Sequence, residues 1–157
     1  MKIKWKTLLI CIAIPLLVGG VSGLISMNSM QTFAALEKPP LSPPAWLFPV
    51  VWTLLYISMG VACYLIISAD APQRETERAL SLYALQLFFN FFWSILFFNL
   101  ELYWFAFAWL LVLWVLIGLC IVYFSRISNA AALLMVPYFL WVTFAAYLNA
   151  GVAYLNA

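Results

Sequence analysis

The chain has 157 residues, of which 68% are hydrophobic and 8% charged, with a net charge of +2 and a mean hydropathy of +1.09. A soluble domain of this size has too little interior to hide so much apolar surface, so a lipid bilayer is the solvent for most of the chain. The small positive charge gives no ground for nucleic-acid binding, and the lack of histidine excludes His-ligated haem, His-bound zinc and imidazole acid–base chemistry.

The charged residues leave uncharged runs at 7–36, 39–69, 79–100, 102–125 and 127–157. Each is long enough for the roughly 20 residues that cross a hydrocarbon core about 30 Å thick. The expected fold is therefore an all-α integral membrane protein, a five-transmembrane-helix bundle with helices near 6–27, 46–69, 79–99, 103–124 and 129–152. No internal repeat divides it, and residues 1–157 read as one domain.

The first run opens on Lys2, Lys4 and Lys6 and stays uncharged past Gly19, Gly20 and Gly23. That is longer than a signal-peptide core and has no clear cleavage site, so the helix is expected to be retained. Gly19 and Gly23 have the spacing of a close helix approach, which serves either helix pairing, including dimerisation, or tight packing inside one bundle. The next stretch, "LEKPPLSPPAWLFPVVWTLLY" from Leu36 to Tyr56, is crowded with prolines. The connection at 28–45 is the only long one, and it cannot be a single continuous helix. Prolines hold it extended at low entropic cost, which suits a lid over the bundle. Trp46, set among these prolines, reads as part of the lid beyond the usual interface anchor.

In the second helix Trp52, Tyr56 and Gly60 fall on one face. Asp70-Ala71-Pro72 then breaks the chain before the third helix, in which Gln86, Asn90, Trp93 and Phe97 share a stripe. Amides facing lipid are costly, so this stripe points inward. It either binds the polar edge of a flat ligand or hydrogen-bonds helix to helix. The fourth helix is apolar all round and is expected to face lipid or another subunit. The fifth contains Pro137 and a stripe of Tyr138, Trp141, Ala145 and Asn149, with Leu148 beside it, forming a pocket wall or a helix crossing. Cys11, Cys63 and Cys120 lie inside spans without metal-ligand spacing and read as packing residues, so no metal site is expected.

Six of the seven Lys and Arg residues fall on one side of this topology, and Lys38 alone on the other. The N-terminus is therefore expected in the cytoplasm, and the first loop and the C-terminus outside. With no targeting peptide, the expected location is a bacterial cytoplasmic membrane, multi-pass.

At "KPPLSPPAWLFPVVWTLLYISMG", "QLFFNFFWSILFF" and "PYFLWVTFAAYLN" the chain resembles the TspO/MBR family. This family joins the tryptophan-rich sensory proteins of bacteria and the mitochondrial translocator protein, formerly the peripheral benzodiazepine receptor. The resemblance covers nearly the whole chain. It implies a five-helix bundle, commonly a homodimer, with one ligand cavity closed by the first loop. It also implies porphyrins such as protoporphyrin IX and isoquinoline carboxamides as ligands, with no cofactor required.

The positions matching the family's cavity are Trp52 with its neighbour Tyr56, Gln86, Asn90, Trp93, Tyr138, Trp141, Phe144, Ala145 and Leu148. Those matching its first-loop motif are Pro39, Pro43, Pro44, Trp46, Phe48 and Pro49. The sterol pattern of eukaryotic members needs a basic residue after Leu148 and Tyr154; none follows, which leaves sterol binding doubtful.

The resemblance thus implies a receptor or sensor, with Trp52, Trp93 and Trp141 stacking on a tetrapyrrole and Asn90 or Gln86 holding a polar group. Its alternatives are a passive carrier of hydrophobic ligands and a light- and oxygen-dependent porphyrin-degrading enzyme. In the enzyme, Trp52 and Trp141 would be the redox partners. The spans hold no acid–base pair, metal cluster or nucleophile, so an ordinary hydrolase or transferase is not expected.

Overall fold

The computed structural model describes residues 3–156, and the side chains of all of these except residues 30–32. Five helices are long and apolar enough to cross a membrane. They are α1 (Trp5–Ser26), α3 (Leu47–Ser68), α4 (Gln73–Ser94), α5 (Tyr103–Ser125) and α6 (Asn129–Leu155), with a short α2 (Met30–Ala35) in the first connection. The expected third helix, 79–99, starts six residues earlier: Pro72 precedes its first turn, and a charged segment from Arg74 to Arg78 forms its opening turns. Pro72 suits this place because its missing N–H would be unpaired there in any residue. Lys2 lies outside the described residues.

Contacts run from α1 to α3 and α4, from α4 to α5, from α5 to α6 and from α6 back to α3. The five spans therefore close a ring. Lipid gives apolar side chains no reason to prefer one another, so such a ring is held by close packing and hydrogen bonds. Both devices are visible. At Gly60 the backbone of α1 comes so near that a Cβ would overlap Ile12, and Gly19 leaves room for the ring of Tyr56. Gly23 meets nothing within 4 Å inside the chain, so within one bundle only Gly19 makes a close contact. Ser22 Oγ donates to the Phe91 carbonyl (2.9 Å) and Ser26 pairs with Ser94 (2.9 Å), tying α1 to α4.

The uniformly apolar fourth span, α5, hides a one-sided arrangement. Ala106, Leu110, Leu113, Ile117, Cys120 and Phe124 are all fully buried at alternating steps of four and three. That seam packs between α4 and α6, while Val112, Val115, Leu119 and Val122 on the other side are exposed. Hydropathy alone cannot show the seam, because both faces are equally apolar.

After Ser94 the α4 helix widens into a π turn, Ile95–Asn99, closed by Leu100 N–H donating to the Ile95 carbonyl (3.0 Å). Such turns re-aim side chains and recur at functional sites. Here Phe97 and Phe98 both meet Phe33 of the first connection edge-on, at 5.6 and 5.3 Å.

Candidate functional site

α3, α4 and α6 direct aromatic and amide side chains at one another, with Trp52 at the centre. Its indole stacks on Tyr56 (5.6 Å) and lies 6.4 Å from Trp93 and 6.1 Å from Tyr138 between ring centroids. The side chains fall on one face because each set recurs at helical spacing.

Beneath these rings runs a polar chain. Tyr56 Oη donates to Asn90 Oδ1 (2.7 Å), Asn90 Nδ2 to Tyr138 Oη (2.9 Å), and Tyr138 Oη to Gln86 Oε1 (2.9 Å). Gln86 Nε2 finishes the chain at the Met59 sulfur (3.8 Å). Gln86 is 0% exposed and Asn90 3%, depths at which an unpaired amide is costly. Of the two roles left open for these amides, helix-to-helix bonding is the one realised in this state. A second link crosses three helices: Trp93 Nε1 donates to Asn149 Oδ1 (3.1 Å), and Asn149 Nδ2 to the Tyr103 carbonyl (2.8 Å).

Towards the first loop the lining is apolar. Phe48, half-buried in the first turn of α3, meets Trp141 edge-on at 5.9 Å. Trp141 continues to Phe144 (5.7 Å), and Phe144 stacks on Tyr147 (6.1 Å). The Trp141 indole N–H is buried with no hydrogen-bond partner, an exception among buried polar groups that calls for an explanation. Ala145 is buried and Leu148 half-buried on the same helix. Two expected residues stand apart. Trp46 is 66% exposed ahead of α3, and Pro49 is exposed, its carbonyl accepting from Thr53 Oγ1 (2.7 Å).

The first loop is fastened to α6. Pro39 is buried against Gly151, where a Cβ would overlap its ring. Tyr147 Oη donates to the Pro40 carbonyl (2.8 Å). Asn156 accepts from the Glu37 N–H (3.1 Å) and donates to the Glu37 carbonyl (2.9 Å). Ser42 Oγ donates back to the Pro39 carbonyl (2.7 Å), and Leu41 takes a left-handed φ of 68°, a strained geometry that this web holds in place. Lys38 is turned to its own segment: its ammonium donates to the Ala34 carbonyl (3.4 Å) and lies 4.9 Å from the centre of the Phe33 ring.

Sequence reasoning did not single out Tyr147, Gly151 and Asn156 as functional. The four-residue spacing of Tyr147 and Gly151 was an available signal; nothing marked Asn156 as their companion. Two open grooves lie elsewhere on the bundle. One of about 340 Å³ is lined by Ile14, Val18, Ala84, Leu87, Phe88 and Phe91, and the other lies at the opposite end from the first loop. None of the expected site residues lines either groove; their rings pack on one another.

A closed ring of membrane-long helices, with rings and paired amides at its centre and a fastened loop at one end, defines a multi-pass integral membrane protein. Residues 11–155 match the TspO/MBR family, and the chain belongs to it. It is 37% identical to the tryptophan-rich protein TspO of Chlorobaculum tepidum, over 96% of each chain. It is 36% identical to the tryptophan-rich sensory protein of Cereibacter sphaeroides, over 77% of this chain and 74% of that one. To the translocator protein of Ovis aries it is 37% identical, over 83% of this chain and 79% of that one.

Proposed function

We propose that the protein is a membrane receptor or sensor that takes protoporphyrin IX, or a similarly flat hydrophobic molecule, among the rings at the first-loop end of the bundle. The observation that carries this reading is the set of flat side chains around Trp52, Trp93, Trp141 and Phe48, next to a loop tied to α6 by the bonds of Tyr147 and Asn156. Flat rings that rest on one another exchange those contacts for the faces of a flat ligand at little cost. The loop is freed from Tyr147 and Asn156, Phe48 parts from Trp141, and the ligand enters. The unpaired Trp141 N–H then meets a ligand acceptor. The amide chain of Gln86 and Asn90 stays bonded to its tyrosines and forms the floor.

The test is a titration of the purified protein with protoporphyrin IX, followed by tryptophan quenching and by the porphyrin absorption band, in the dark and under light. Saturable quenching is expected, weakened in Trp52→Phe and Trp141→Phe, with the porphyrin spectrum unchanged by illumination. No saturation in the dark removes the reading. A light-dependent product, lost in either variant while dark binding persists, replaces it with the porphyrin-degrading enzyme.

A further inference from the structure

The second groove, of about 680 Å³, opens where α4 begins and α5 ends. Arg74, Glu77, Arg78, Ser81, Leu82 and Tyr123 line it. Arg126, just past α5, places its guanidinium 4.9 Å from the centre of the Tyr123 ring, adding a third cation at the rim. Glu77 is the one acid in the lining, and its carboxylate is taken up by the Gln73 amide (2.7 Å). The lining therefore carries a net charge of +1, Arg126 beside Tyr123 adds a cation next to it, and Glu75 of the same α4 turn lies outside the lining. The groove opens next to the positive end of the α4 dipole.

The depth of the groove matters as much as its charge. Arg74 and Arg78 occupy the opening turns of one span, and Tyr123 and Arg126 lie at the closing turn of another, which is headgroup level in a bilayer. All three arginines are exposed, whereas Leu82 and Tyr123 are half-buried below them. Guanidiniums match phosphate oxygens in a planar, two-pronged geometry. Basic pockets between spans at the cytoplasmic side favour anionic lipids, and charge bias assigns this end to the cytoplasm. A soluble phosphate has no use for a floor of Leu82 and Tyr123, whereas an acyl chain does.

We propose that this groove is a binding site for the phosphate headgroup of an anionic phospholipid, with its acyl chains descending along Leu82 between α4 and α5. The site is independent of the ring cluster at the other end. It is read by native mass spectrometry of the full chain released from micelles holding equal amounts of phosphatidylglycerol and phosphatidylcholine. Phosphatidylglycerol is expected to be retained about tenfold over phosphatidylcholine. Arg74→Gln with Arg78→Gln, and separately Arg126→Gln, should bring the ratio towards one while far-UV circular dichroism stays unchanged. Lys4→Gln with Lys6→Gln, which removes the same number of cations from the same end but outside the groove, should leave the preference intact.

Equal retention of the two lipids by the parent chain overturns the proposal. So does an equal loss in the lysine variant, since diffuse charge then suffices. Displacement of the lipid by inorganic phosphate overturns the lipid assignment in favour of a soluble anion.

Discussion

The two halves of the bundle are filled by different means. The half towards the N-terminus and the α4–α5 groove sets many small side chains among a few large ones, such as Met135 and the stacked pair Tyr83 and Phe124 (6.1 Å). Cys11, Ala62, Cys63, Ala79, Cys120, Ala131 and Ala132 are all buried there, and α1 touches α3 through Gly60 with no side chain between them. The half towards the first loop is built from two ring-to-ring sets, Trp52–Trp93–Phe97 and Phe48–Trp141. Small residues at close approach fix backbones to one another, because any change must move a helix. Large rings fill space by rotating about two side-chain bonds and leave the backbones further apart. The first arrangement suits a foundation, and the second suits a site that has to open.

If that division is right, substitutions in the compact half cost stability with little change in ligand affinity. The largest effect is expected at Met135, which is 0% exposed. Met135→Ala should destabilise the protein by about 2–5 kcal/mol, the range for emptying a buried long side chain. Chemical unfolding in detergent measures it, and a cost near zero would show that this half repacks as freely as the other. Gly60→Val comes next, at about 1–3 kcal/mol for forcing two packed backbones apart. Thermal unfolding reads the loss, while the protoporphyrin titration of the folded fraction should match the parent. A variant as stable as the parent would mean that α1 does not need this contact.

How much of this was legible in the sequence follows from the same division. The spans could be read off because charged residues interrupt an apolar chain at bilayer intervals, and hydropathy needs no partner to be interpreted. The stripe of Gln86, Asn90 and Trp93 could be placed inward, since an amide facing lipid is costly. What the amides bond to could not be read: Tyr56 and Tyr138 lie on two other helices, and spacing along one helix says nothing about which neighbour faces it. The buried seam of α5 was invisible for the opposite reason, as nothing polar marks its outer face. The early start of α4 at Gln73 is not legible in hydropathy, because a helix can project beyond the hydrocarbon core into the headgroup layer and its charged turns there look no different from a loop.

In the ring-filled half the balance should reverse, with affinity moving further than stability. Trp52→Leu keeps an apolar side chain but removes the flat surface that touches Tyr56, Trp93 and Tyr138. Protoporphyrin affinity is expected to fall about tenfold, equivalent to about 1.4 kcal/mol. Tryptophan-quenching titration supplies the number, and unchanged affinity would move the ligand away from Trp52.

The smallest effect belongs to the loop fastening. Asn156→Ala removes both bonds to Glu37, and each such bond is worth about 0.5–1.5 kcal/mol at most. Tyr147 and the Pro39–Gly151 contact still hold the loop, and both lost bonds are exposed to water, so global stability should change by about 1 kcal/mol, the low end for two bonds. A loop that gates the rings controls how fast a ligand enters and leaves, because releasing it precedes both steps. Asn156→Ala should therefore raise protoporphyrin association and dissociation rates together, by a few-fold, with affinity nearly constant. Stopped-flow quenching separates the two rates. A change confined to dissociation would show instead that Asn156 and Glu37 hold the ligand-bound state, with the loop acting as a wall of the site and not as its gate.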